Sequence, residues 1–310
     1  MTGTTLAGIN MQMRTFVVRG SNMQYLWWAR LVLLAVFTLL EFGAALAQSG
    51  LIAYASTQGD TTAIYTVRPD GSGINRVIMN GRDPSFAPDG RILFVRGADL
   101  YTVKQDGSDV TQLTHHGLGV TISNPVMSLD NSIILFNSAP VVPNPVTSVR
   151  LFNTDGSGER TIATPGMDPA FTPDQVQVIY AANEAIYGMS RSSMGGRPYT
   201  PHVMYTPVSA LTVRYPVYGP GDNNGFIFAG MPATAGAAWN LYAVHYGEQG
   251  PRQSVLVANA NQPAFSTDGR NIAFIRNGEL YLMNADGSNQ RCMVHNGEIS
   301  HPAWWDSTPQ

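Results

Sequence analysis

Six residues stand directly before a proline that opens a recurring phrase: Asp83 in "DPSF", Asn124 in "NPVM", Asp168 in "DPAF", Tyr215 in "YPVY", Gln262 in "QPAF" and His301 in "HPAW". Two carboxylates, two amides, a phenol and an imidazole at one repeated position allow two readings if the chain gathers them. They can receive a small ligand or a partner's side chain, or they can cap strand ends by hydrogen-bonding backbone N–H groups and ordered water. Acid–base catalysis would have only Asp83, Asp168 and His301 to draw on.

Other chemistries have less to work with. His115 and His116 are adjacent in a loop, where neighbouring side chains diverge, and no acidic or Cys partner sits at ligand spacing, so a surface loop is expected. The stretch "NTDGSGE" at 153–159 hints at calcium, yet an EF-hand register would put Ile162 where the bidentate Glu belongs. No nucleophile elbow is present, the nearest miss being "GMSRS" at 188–192. Lys104, the only lysine, lies in "LYTVKQDG" with no Gly-rich run before it, which excludes a Walker A loop. Cys292 is the sole cysteine, so neither an intrachain disulfide nor a thiolate zinc cluster can form, and it reads as a small buried hydrophobe. No metal and no cofactor is expected.

The elements that must position the six residues follow from composition and period. The chain has 310 residues, 44% of them hydrophobic and only 13% charged, with 31 Gly and 20 Pro, a profile that favours short strands joined by many turns. A net charge of -3 with 18 scattered basic residues gives no nucleic-acid footprint. The Pro phrases recur at spacings of 39 to 47 residues. A second marker, apolar then usually aromatic, recurs as Ile64-Tyr65, Leu100-Tyr101, Leu151-Phe152, Ile186-Tyr187, Leu241-Tyr242 and Leu280-Tyr281. Between the markers lie "APDGR", "STDGR", "RPDGS", "KQDGS", "NTDGS" and "NADGS", read here as two-residue type I′ hairpins. Four strands per unit and six units predict an all-β chain, a six-bladed β-propeller.

The two ends complete each other. Residues 51–79 lack the Pro phrase, while "HPAWW" at 301–305 has no unit after it. Residues 301–305 are therefore expected to pair beside residues 51–56 and close the ring, with at least one of Trp304 and Trp305 in the core. Ahead of the propeller (48–310), residues 1–47 read as an export leader: Arg30, the apolar run "LVLLAVFTLL", then Ala45 and Ala47 before a cleavage point, with Met23 as an alternative start. An uncleaved signal anchor is the other reading, and either way the bulk of the chain lies outside the cytoplasm.

The phrase Pro-x-Phe-Ser-Pro-Asp-Gly, followed by Leu-Tyr and Asp-Gly-Ser, resembles the WD40-like PD40 repeat of the TolB-like β-propeller family. It is clearest at "DPSFAPDGRILFVRGADLYTVKQDGSDVTQLT" and "QPAFSTDGRNIAFIRNGELYLMNADGSN", and weakest in blades four and five, where "TPDQVQVIY" has lost the Gly. The resemblance implies a periplasmic or extracellular binding module engaging an envelope protein or peptide, as TolB engages the Pal lipoprotein. The six pre-proline residues should ring one mouth of the central channel. The longest loops, including 114–124, 137–149 and 229–240, fall on one face, where recognition is expected. A monomer without catalysis is the first expectation. Some six-bladed propellers place metals and acid–base groups at the channel mouth, so a polysaccharide lyase or lactonase acting on a glycan or small ligand is the alternative.

Overall fold

The computed structural model describes residues 50–192, 200–221, 225–295 and 298–306. The leader expected over residues 1–47 lies outside them. Among the described residues no helix is long and apolar enough to cross a membrane.

The strands form six antiparallel sheets of four. Blade 1 contains β1 (Leu51–Gln58), β2 (Thr61–Val67) and β3 (Asn75–Met79). Blade 2 contains β4 (Arg82–Phe86), β5 (Ile92–Arg96), β6 (Asp99–Val103) and β7 (Thr111–Gln112). Blade 3 contains β8 (Val120–Met127), β9 (Ile133–Pro140), β10 (Ser148–Asn153) and β11 (Arg160–Ala163). Blade 4 contains β12 (Met167–Phe171), β13 (Gln177–Ala182), β14 (Ala185–Ser190) and β15 (His202–Tyr205). Blade 5 contains β16 (Leu211–Tyr218), β17 (Gly225–Pro232), β18 (Asn240–Gly247) and β19 (Gly250–Val257). Blade 6 contains β20 (Asn261–Phe265), β21 (Asn271–Arg276), β22 (Glu279–Asn284) and β23 (Arg291–Val294), after which β24 (Glu298–Trp305) returns to blade 1 as its innermost strand. There Leu51 faces Trp305, Ile52 faces Trp304 and Ser56 faces Ile299, which is the closure expected from the two chain ends.

The second strand of each blade explains why the sequence reads as unbroken apolar runs. In β5, Ile92 and Phe94 pack toward blade 1, while Leu93 and Val95 pack toward blade 3. In β13, Val178 and Tyr180 face blade 3, and Ile179 and Ala181 face blade 5. Both faces of each sheet are covered by neighbours, so both sets of alternating side chains must be apolar. Six such clusters, one at each seam between blades, make up the core.

The Asp-Gly turns differ from the expected type I′. Gly71 N donates to Arg68 O and Arg68 N to Ser72 O, and the same pair of bonds recurs at Gly107 and Lys104, Gly156 and Asn153, and Gly287 and Asn284. Only the Gly has a positive φ, +87° at Gly71 and +83° at Gly107, so each is a type I turn followed by a left-handed glycine. The Asp stays in the ordinary region because its carboxylate accepts the backbone N–H two residues on, Ser72 N to Asp70 Oδ1 at 2.8 Å and Ser108 N to Asp106 Oδ1 at 2.9 Å. Where the first turn lacks Gly, Asn131 (φ 55°) and Gln175 (φ 58°) take the left-handed position. A Cβ at Gly107 would meet the Val77 carbonyl oxygen of blade 1 at 2.6 Å, whereas one at Gly156 would meet nothing within 4 Å. Gly156→Ala should therefore cost about 1–2 kcal/mol from backbone strain alone. Gly107→Ala should cost measurably more in the same urea titration, and equal losses would remove the blade-to-blade contact from the account.

Two side chains sit differently from expectation. His116 is not a solvent-facing loop residue: its side chain is 10% exposed, with Nε2 2.7 Å from Glu159 Oε1 and Nδ1 3.4 Å from Asp99 Oδ1. The connector folds it back onto the seam between blades 2 and 3, against Phe136. Cys292 is half-buried on the outer strand β23 rather than in the core. Both tryptophans are half-buried: Trp304 packs against the core at the seam between blades 6 and 1, as expected of one of them, and also lines the central channel, while Trp305 stacks on Phe86 with ring centroids 6.0 Å apart.

Candidate functional site

The six pre-proline residues are built into the innermost strands by one repeated distortion. Asp83, Asn124, Asp168, Tyr215, Gln262 and His301 all have φ between +49° and +54°. Each lies where the pairing register of its strand shifts, between Arg82 and Ser85 in β4, for example, and between Arg214 and Val217 in β16. Each following proline is buried and has no N–H to give to the ladder, so the chain bulges at that point. Non-glycine residues rarely adopt this conformation, and six-fold repetition of it means the surrounding ladder enforces it. The bulge brings all six residues to the lining of one axial cavity of about 430 Å³.

A chain of hydrogen bonds runs around them. His301 Nδ1 lies 3.0 Å from Asp83 Oδ1. Gln262 Nε2 is 3.2 Å from His301 Nε2 and donates to Tyr215 Oη at 3.2 Å, while Gln262 Oε1 accepts the His301 backbone N–H at 2.9 Å. The imidazole is thus held between the Gln262 amide on its Nε2 side and the Asp83 carboxylate on its Nδ1 side. Asp168 accepts from the Tyr215 backbone N–H at 3.1 Å, from Arg214 and from the Asn124 amide. Asn137 completes its shell, with Nδ2 3.2 Å from Oδ1 and its own Oδ1 accepting the Asp168 N–H at 2.8 Å. These bonds join one blade to the next, and three of them satisfy backbone N–H groups, those of His301, Tyr215 and Asp168.

Arg82, Arg214 and Asn137 escaped the sequence reading. Arg82 donates to Asp83 Oδ2 at 2.8 Å and to the Ile122 carbonyl at 2.7 Å. The signal for both arginines was available, since each directly precedes a pre-proline residue, in "RDP" and "RYP". Burial alone would lower the Arg214 pKa, but its bonds to Asp168 raise it, so it stays charged. Burial and then the Asp168 charge push the Tyr215 phenol up. Burial alone would raise Asp83, yet the His301 and Arg82 groups beside it outweigh that and hold its carboxyl below the usual range.

That last shift fixes a pH dependence. A carboxyl lowered by folding adds stability above its unfolded pKa of about 3.9 and gives it up as the pH falls through the folded value. The stability margin of the wild type over Asp83→Asn, from urea unfolding at stepped pH, should be constant at pH 5–6 and shrink below about pH 4. A margin that does not change on acidification would show that the His301 and Arg82 contacts add nothing.

Beyond the polar floor, the cavity is walled by the six prolines and by Phe86, Met127, Phe171, Phe265 and Trp304, and it continues to Leu129, Gln175 and Thr267 in the first hairpins. It therefore leads toward the Asp-Gly face, opposite the long connectors and second-hairpin loops. Ser85 Oγ, Asn124 Oδ1 and Trp304 Nε1 are among the polar atoms of the lining that are buried without a hydrogen-bond partner. The floor carboxylates are engaged by arginine and histidine, Asp83 with Arg82 and His301 and Asp168 with Arg214.

No family model and no curated protein matches the chain. Solved structures do match. The propeller is similar to the crystal structure of TolB from Acinetobacter baumannii, with a TM-score of 0.68 and 18% identity over 83% of this chain and 67% of that one. It is similar to a chain of a nidogen/laminin complex, with a TM-score of 0.63 and 10% identity over 83% of this chain and 98% of that one. An oligogalacturonate lyase in complex with manganese follows at 0.52 and 10%, over 74% of this chain and 70% of that one. At these identities the likeness is one of fold, a TolB-like six-bladed β-propeller, and proteins of different activity share it.

Proposed function

We propose that the chain is an exported, non-catalytic propeller that serves as a protein-interaction scaffold in the cell envelope. One observation carries this reading. Leu118, Val141, Val142, Val146 and Val208 are 94%, 60%, 54%, 53% and 89% exposed, and all belong to connectors or second-hairpin loops on a single face. The 118 and 141 loops touch, Val141 N donating to Gly119 O at 3.1 Å. Exposed apolar side chains gathered on loops over a rigid scaffold mark a surface that a partner covers. The complex formed by nidogen with laminin is a precedent for a propeller of this fold binding protein, and the leader pattern in residues 1–47 supports export.

Photo-crosslinking residues placed in cells at Val142, at Val208 and, as a control on the opposite face, at Leu129 test it. We expect a discrete adduct with one envelope protein from Val142, and its loss when Leu118→Asp is added without a change in thermal stability. No adduct from Val142 or from Val208 would overturn the scaffold reading, and recovery of the chain in the cytoplasm would overturn export.

The axial cavity favours a second reading. Its volume falls within the range of small-molecule sites, and Ser85 Oγ and Asn124 Oδ1 offer uncommitted polar contacts. A glycan or lactone substrate would fit this description. Manganese or calcium retained stoichiometrically through purification, and lost in Asp83→Asn, would favour it over the scaffold.

A further inference from the structure

We propose that Glu279, Cys292 and His295 form a binding site for one divalent cation of the zinc class, on the outer edge of blade 6 and separate from the axial ring. Glu279 opens β22, Cys292 lies in β23, and His295 directly follows it. The two strands pair with Tyr281 opposite Cys292 and then slip by one residue to put Leu280 opposite Val294. That slip carries His295 up to Glu279 and turns three residues far apart in the chain toward one point.

The separations suit a tetrahedral ion. His295 Nδ1 is 3.3 Å from Cys292 Sγ and 3.3 Å from Glu279 Oε1, and Cys292 Sγ is 3.9 Å from Glu279 Oε2. Bond lengths of about 2.3 Å to sulfur and 2.0 Å to nitrogen or oxygen, at tetrahedral angles, place the ligand atoms about 3.3–3.5 Å apart. Glu279 and His295 have side chains 30% and 65% exposed, so the small closure still needed costs little packing and the ion has a path from solvent. Among the described residues this is the one group of three or more such side chains within ligand reach.

The donor types choose the ion. Thiolate, imidazole and carboxylate together match zinc, whereas magnesium and calcium require oxygen ligands throughout. Three protein ligands leave a fourth position for water. Glu279 Oε2 also lies 3.4 Å from the Tyr281 hydroxyl, a contact that would hold the carboxylate toward the ion. The site is placed where it can act on the fold. Ile299 N, at the start of the closing strand, donates to Gly278 O at 2.9 Å, next to Glu279. A bound cation would tie β22, β23 and the approach to β24 together.

Because the chain has a single cysteine, any thiolate signal comes from Cys292. The test titrates cobalt(II) into the full-length, chelator-stripped protein and follows thiolate-to-cobalt charge-transfer absorption. We expect saturation at one equivalent, displacement by zinc, loss of the band in Cys292→Ser, and affinity at least tenfold weaker in Glu279→Gln and in His295→Ala. Zinc should raise the unfolding temperature of the wild type and leave that of Cys292→Ser unmoved, with Cys292→Ala replacing it if the serine variant fails to fold. Absence of the band, its persistence at full affinity in both Glu279→Gln and His295→Ala, or saturation at one cation per two chains would overturn the proposal.

Discussion

Removal of residues 298–310 is expected to abolish cooperative unfolding of the propeller, whereas a chain ending after Asp306 should unfold at the temperature of the intact protein. The truncation deletes β24 and leaves the inner edge of β1 with unpaired backbone groups along its whole length. It also opens the seam between blades 6 and 1, where Ile299 packs with Ile52, Tyr54 and Val67 against Ile275, Leu280, Leu282 and Met293. Loss of one buried aliphatic side chain costs about 2–5 kcal/mol. Here a whole strand goes, against a total stability of the order of 5–15 kcal/mol for a domain. Calorimetry should show a broad or absent transition, and a peptide of residues 298–306 added in trans should restore part of it. A truncated chain that melts as sharply as the intact one, at a similar temperature, would show that the ring does not depend on its closing strand.

The closure was legible because it rests on a repeat, and repeats expose what is missing at either end of an array. The same regularity made the strands legible: "ILFV" in β5 is apolar at every position because each face meets a different neighbouring blade. The turn type was not legible from Asp-Gly. That dipeptide serves a type I′ turn and a type I turn with a left-handed Gly equally well, and the choice depends on whether the Asp side chain caps the backbone two residues on, as Asp70 does. Contacts between elements stayed hidden for a related reason. Nothing local says that His116 folds back between Asp99 and Glu159, or that a one-residue slip brings Glu279 to His295. At the ring, the pre-proline position was readable as a place, and the side-chain bonding across blades was not. Asn137 reaches Asp168 from the second strand of the preceding blade, which no repeat phrase marks.

Asp168→Ala is expected to cost about 3–5 kcal/mol, the range for removing one partner of a buried ion pair. The Asp168 side chain is 2% exposed and accepts bonds from Arg214, Asn124, Asn137 and the Tyr215 backbone, so its loss strands donors from both flanking blades at once. Arg214 matters most, because a guanidinium left beside the axis keeps its charge and loses its partner. The double variant Asp168→Ala with Arg214→Met should therefore be more stable than Asp168→Ala alone, a sign that an additive account would not give. Urea unfolding of the four proteins in the cycle measures this directly, and a coupling below about 0.5 kcal/mol would show that the two side chains act independently. The outcome also separates two roles for the ring. Six non-glycine residues held at positive φ are strained, and strain of this kind persists where the surroundings over-determine it. If Asp168→Ala is severely destabilising, the belt of bonds is what stabilises those bulges, and the ring is primarily the seam that locks six blades at the axis. If the protein tolerates the change, the strain is maintained by the ladders alone, and the ring residues are free to serve whatever enters the cavity above them.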